Sequence, residues 1–170
     1  GYMTQSVRDL VAETGYPGMK VLQFAFGSGS DNEYLPHNYT PNSVVYTGTH
    51  DNETLMQYLE CTEEHVRNHI REYMNRPHAS NEELCENLIW MAMSSVGKYC
   101  MIPLQDYLGL GKEARMNYPS TLGHNWEWRV RKEQLTHDLA GYIAHMTGLS
   151  YRRRIDPPKK EETDEGKAEK

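Results

Sequence analysis

Basic residues are scarce in this sequence, and they are not arranged to track a polyanion. Lys and Arg number 18 against 24 Asp and Glu, and the basic cluster is the short run Arg152, Arg153 and Arg154. A nucleic-acid face needs a stripe of such residues to displace counterions along a phosphate backbone, so nucleic acid is excluded as an expected partner. Long hydrophobic runs are missing too. No apolar stretch approaches the roughly 20 residues of a membrane span. The opening GYMTQSVRDL has neither the basic start nor the apolar core of a secretory signal. The expectation is a soluble, cytoplasmic chain without membrane contact. Cysteine is sparse: Cys61, Cys85 and Cys100 are odd in number and widely spaced. They read as reduced thiols buried as small hydrophobes, not as a disulfide framework.

What is present suits one domain, since 170 residues can bury roughly two thirds of their unfolded surface. Thr4, then Val7, Leu10 and Val11 at helical spacing, then Gly15, predict a short helix capped at each end. MKVLQFAF, Met19 to Phe26, and SVVYTG, Ser43 to Gly48, read as strands rich in β-branched and aromatic residues. Asn52 can cap a helix through about Glu60, and a further helix starts near Thr62 with Val66, Ile70 and Tyr73 on one stripe. Ser80 with Glu83 forms a capping box ahead of Leu84, Leu88, Met91, Ala92 and Ser95. Tyr99 to Leu104 is a third strand, and Thr136 to about Thr147 a last helix, with Leu139, Ile143 and Met146 facing in. The stretch between them has no sustained period and reads as a long loop with a helical turn in it. Residues 1–154 form the folded segment. Residues 155–170, IDPPKKEETDEGKAEK, are expected to be a disordered charged tail.

The strands do not alternate apolar with polar residues and each leads into helix, which argues for parallel strands covered by helices. Three such strands leave two open edges, so the chain looks like part of something larger. In such folds ligands bind at the carboxyl ends of strands. There, in SVVYTGTHDNET, the apolar run stops at His50, Asp51 and Asn52. Asp51 or Asn52 capping the next helix is the plain explanation. Asn52 can do that alone, which leaves a histidine and a carboxylate to be explained.

PGMKVLQFAF, YLPHNY, NSVVYTGTHDNET, PLQDYLGLGKEARMNYPSTLG and NWEWR, in this order, resemble the C-terminal portion of the 4-α-glucanotransferases, the amylomaltase or disproportionating enzyme family. The resemblance runs from about Thr4 to Arg154. It implies the C-terminal part of a (β/α)8 TIM barrel, with three parallel strands and covering helices. It also implies retaining chemistry on α-1,4-glucans and maltooligosaccharides, with no cofactor and no metal. That chemistry needs a carboxylate nucleophile and a carboxylic acid about 5 to 5.5 Å apart. By the same resemblance Asp51 is a third carboxylate that stabilises the transition state, His50 binds the same sugar and Asn117 is a further sugar contact. Asn117 reads equally well as a turn residue before Pro119. Trp126 and Trp128 could stack on sugar, although packing is the favoured reading for both. The family's acid lies in a block like EDLG, whose final glycine would be Gly1, and its nucleophile lies further upstream. The chain is therefore expected to be a fragment lacking two of three catalytic carboxylates, inactive alone and partnered by the rest of the barrel.

Rival readings remain. A non-catalytic glucan-binding module would use NWEWR and YLPHNY. His65 and His69 in HVRNH have metal-ligand spacing, but no glutamate follows the first histidine, and a solvated helix face is the better account. FGSGSDN lacks the lysine and the helix of a phosphate-binding loop.

Overall fold

The computed structural model describes residues 4–152. The expected tail at 155–170 lies outside the described residues, as do Gly1 and the last two residues of the expected folded segment. The elements are α1 (Gln5–Thr14), β1 (Gly18–Val21), β2 (Ser43–Tyr46), α2 (Leu55–Cys61), α3 (Glu64–Tyr73), α4 (Asn81–Ser94), β3 (Tyr99–Met101), α5 (Leu104–Tyr107) and α6 (His137–Leu149). The sheet order is β1-β2-β3, and both pairings are parallel. Three parallel strands with connecting helices are the expected α/β arrangement.

Local signals act where local atoms suffice. Gly15 takes a left-handed φ of 67° and returns its N–H to the Ala12 carbonyl, ending α1. Thr4 does not cap α1 through its side chain; its hydroxyl pairs with Ser6 instead. At α4, the Ser80 hydroxyl accepts from the Glu83 N–H while the Glu83 carboxylate accepts from the Ser80 N–H. Both halves of that capping box are present. The strands are shorter than the apolar runs that suggested them. After Val21 the chain tightens into a 3-10 turn, Leu22–Phe24, which drops Leu22, Ala25 and Phe26 into the core. β3 likewise stops at Met101, and Pro103 precedes α5. Residues expected to extend a strand thus serve as core plugs, because burial outweighs β-propensity at a strand end. α6 runs two residues beyond Thr147, through Gly148. Met146 is its buried residue, while Leu139 and Ile143 are half-buried.

The core lies on one side of the sheet. Val45 of β2 packs with Leu22, Leu35, Leu55, Leu59, Ile70, Leu84, Leu88 and Ile89, all essentially inaccessible. On the other side Met19, Tyr99 and Met101 each keep about half of their surface exposed. These three line a concavity of about 1200 Å³ that reaches His50. The unbroken apolar runs predicted burial on both faces, and within this chain one face is covered. Of the cysteines, Cys85 is buried, Cys100 half-buried and Cys61 exposed, all unpaired. Burial holds the Cys85 thiol up at about 12 and that of Cys100 at about 11, so both stay protonated and unreactive at neutral pH. The expectation of burial fails for Cys61. Arg152 donates to the carbonyls of Met93 and Ser95 and so fastens the chain after α6 to the end of α4.

Gly97 marks the tightest approach between the α4–β3 connection and the central strand. A Cβ there would stand 2.5 Å from Val45 Cγ2 and 3.0 Å from Ser43 Oγ, atoms that belong to fully buried residues. Gly97→Ala is expected to destabilise the fold by about 1–3 kcal/mol through overpacking, read as a lower urea midpoint at unchanged slope.

Candidate active site

The three strands point their carboxyl ends the same way, and the segment leaving β2 crosses that end as a tight loop, 47–54. Gly48 leaves room there for a close approach: a Cβ would meet the Gln23 amide nitrogen at 2.6 Å and push that side chain aside. That amide continues past Gly48 to donate to the Glu53 carbonyl. Asn52 accepts from both the N–H and the hydroxyl of Thr49 at 3.0 and 2.8 Å, closing the loop on itself. The cap of α2 is Thr54, whose hydroxyl accepts from the Gln57 N–H. Neither Asp51 nor Asn52 caps the helix, which corrects the plain explanation given to them. The extended stretch between loop and helix places the cap two residues later.

Asp51 is therefore free of any capping task. Its Oδ1 accepts from Asn117 Nδ2 at 2.7 Å and lies 3.4 Å from His50 Nε2. His50 and Asp51 keep about half their side-chain surface open to solvent. The structure thus brings the three candidate residues together, although Asn117 is 66 positions from Asp51. Trp126 joins them, its ring 4.9 Å from that of His50. Trp128 is half-buried, in line with packing, whereas Trp126 stands half exposed beside the site.

Two residues absent from the sequence reading hold the site loops in place. Asp106 of α5 is buried. Its Oδ2 accepts from the Thr47 hydroxyl at 2.6 Å and its Oδ1 from the Leu55 N–H at 2.8 Å. One carboxylate therefore pins both ends of the loop that carries His50 and Asp51. Burial pushes its pKa up to about 6, against the lowering effect of those two donors. The sequence signal was available: PLQD places a carboxylate just past a strand, as THD does. Arg115 is the second. Its guanidinium donates to the Asp51 carbonyl (2.9 Å), the Asn117 carbonyl (3.0 Å) and the Glu53 carboxylate (2.7 Å), and lies 4.4 Å above the Tyr118 ring. The planar fork thus ties the two site loops together by their backbones.

No group of three or more His, Cys, Asp or Glu among the described residues is arranged to hold a metal ion. His65 is exposed beside Glu63. His69, expected on the same solvated face, is half-buried with Nδ1 3.0 Å from the Phe26 carbonyl.

Residues 1–136 match the family model described as 4-alpha-glucanotransferase. The chain belongs to this family. It is 43% identical over 150 residues to the 4-alpha-glucanotransferase of Clostridium butyricum, covering 88% of this chain and 30% of that protein. To the chloroplastic/amyloplastic 4-alpha-glucanotransferase of Solanum tuberosum it is 44% identical over 130 residues, 76% of this chain and 22% of that one. The amylomaltase from Streptococcus agalactiae, solved in complex with acarbose, superposes with a TM-score of 0.83 at 33% identity, over 91% of this chain and 31% of that one. The chain thus spans about 30% of the length of the bacterial relative it matches. Its three strands and their helices are an arc of the (β/α)8 barrel of the glucanotransferases.

The buried carboxylate of this arc gives a pH prediction. Folding holds more protons than unfolding between the ordinary carboxylate value of 3.8 and about 6. The contribution of Asp106 to stability is thus greatest below 3.8 and is lost as pH rises through about 6. Asp106→Asn cannot ionise. Its stability relative to the wild type should improve by on the order of 3 kcal/mol between pH 3.5 and 7.5. Paired denaturation curves, in which the other carboxylates cancel, read the difference. A difference that does not vary with pH would refute it.

Proposed function

We propose that this chain supplies one wall of the donor-sugar site in a 4-α-glucanotransferase, an enzyme moving α-1,4-glucan segments to glucose or maltooligosaccharide acceptors. The observation that carries the reading is the 2.7 Å hydrogen bond from Asn117 to Asp51 at the open carboxyl end of the sheet, in a chain of this family. A carboxylate already oriented by an amide can accept from adjacent sugar hydroxyls without reorganising. Preorganised acceptors of this kind gain strength as the ring flattens toward an oxocarbenium ion. Asp51 is the transition-state stabiliser, and His50 and Asn117 bind the same sugar.

The carboxylates at this end divide by environment. Asp106 has both oxygens committed beneath the loop, and Glu53 is engaged by Arg115. Asp51 is the most exposed of these three, with about half of its side chain open against about a third for Glu53. A retaining double displacement needs a nucleophile and an acid/base besides, and we assign those roles to polypeptide outside these residues, upstream in the family order. The remainder of the barrel is then the partner that covers Met19, Tyr99 and Met101, and residues 1–154 are the C-terminal barrel segment. Acarbose, bound by the S. agalactiae amylomaltase, indicates the ligand class for this wall. The cytoplasm is the compartment we assign, on three unpaired thiols. The potato relative is plastidial by its name, so its compartment differs.

Two measurements test the reading. The 170-residue chain incubated with maltotriose should yield neither longer glucans nor glucose by chromatography. Products above a mock preparation would refute the placing of the nucleophile and acid outside it. In the complete enzyme, Asp51→Asn should lower turnover about a hundredfold or more, since such contacts supply several kcal/mol to the transition state. Turnover within about threefold of wild type, a barrier change under 1 kcal/mol, would remove Asp51 from the chemistry.

A further inference from the structure

We propose that Trp126 is an aromatic platform on which a glucosyl ring rests beside Asp51 and Asn117. The inference deepens the glucanotransferase reading and depends on it.

Trp126 lies in the loop after Asn117, and its backbone is unusual. Its φ is 66°, a left-handed conformation that crowds any Cβ and is a clear outlier for a bulky residue. Two hydrogen bonds hold it there. The Trp126 N–H donates to the Met116 carbonyl at 2.7 Å, and its carbonyl accepts from Arg129 at 2.7 Å. Neither bond uses the indole, and glycine would take the same backbone at no steric cost. Loop geometry therefore does not explain the side chain. Core packing does not explain it either, since 49% of the residue is exposed.

What the strained backbone achieves is the position of the ring. The indole lies 4.9 Å from the His50 imidazole, tilted by 42°. His50 Nε2 is 3.4 Å from Asp51 Oδ1, which accepts from Asn117 at 2.7 Å. An exposed aromatic, an imidazole, a carboxylate and an amide thus form one continuous surface. A pyranose has the matching pattern, a face of C–H groups bounded by hydroxyls. Its apolar face would lie on the indole while neighbouring hydroxyls reach Asp51 and Asn117. The same indole limits how far His50 can swing from Asp51.

The test is made in the complete enzyme with maltotriose, comparing W126F, W126G and D51N with wild type. Glycine relieves the backbone strain, so W126G should fold with a thermal midpoint no lower than that of W126F. Because stacking acts on bound substrate and transition state alike, the loss should fall on KM. We expect KM to rise about tenfold in W126G, the span of one aromatic contact, and about threefold in W126F, which keeps a smaller ring. Calorimetric titration of maltotriose into inactive D51N, with and without W126G, should show a matching loss of affinity. With D51N inactive, a wild-type KM in W126G overturns the platform alone, as does a W126F loss equal to that of W126G. If D51N keeps its turnover, the glucanotransferase site and the platform fall together.

Discussion

A carboxylate whose two oxygens face different elements admits one arrangement of those elements, and Asp106 imposes that condition at the end of the sheet. One oxygen takes the Thr47 hydroxyl as β2 ends, and the other takes the Leu55 N–H as α2 begins. The loop between them has fixed ends, and His50 and Asp51 project from it. Charge-assisted bonds of this kind contribute about 1.5–3 kcal/mol each, but burying the charge costs free energy, as the upward pKa shift shows. The interaction is therefore better understood as specifying geometry than as raising stability. Arg115 complements it from the outer side, joining the backbones of Asp51 and Asn117 where the two loops meet.

The site is organised in two tiers by dielectric. Beneath the loop, Asp106 and Gln105 are buried, with their polar groups bonded to Thr47, Leu55 and Ala114. Above it, Asp51, His50 and Trp126 each keep about half of their surface in contact with solvent. Rigidity is concentrated below, where a misplaced polar group would be expensive. Open polar and aromatic surface is concentrated above, where side chains can exchange water for a ligand. Sites held on a packed lower layer keep their geometry without needing the ligand to impose it.

Much of the fold was legible because its signals are local. The Ser80–Glu83 capping box, the stop at Gly15 and the parallel strands followed by helices all rest on atoms within a few residues or on an unbroken apolar run. The errors share a cause as well. Met19 to Phe26 and Tyr99 to Leu104 are apolar throughout, but apolarity does not distinguish a residue in the sheet from one folded under its end. Leu22 and Phe26 left the first strand for that reason, while Leu104, half-buried, opens α5 instead. Asn52 does not cap α2 because its side chain bonds Thr49 just as readily as a helix N–H, and Thr54 is the residue the chain brings to the helix start.

By itself the sequence determined the order of elements, the direction of the strands, the family and a short set of polar residues past the strand ends. Tertiary structure decided which of those residues support and which face outward. The reason is distance along the chain: Asp51 meets Asn117 across 66 positions, and Asp106 meets Thr47 and Leu55 across 59 and 51. No local period or cap couples residues so far apart. Asp51 and Asp106 are both carboxylates just beyond a parallel strand and look alike in the sequence. Folding buries one and exposes the other, and that difference in surroundings separates the residue that positions the loop from the one left open to a ligand.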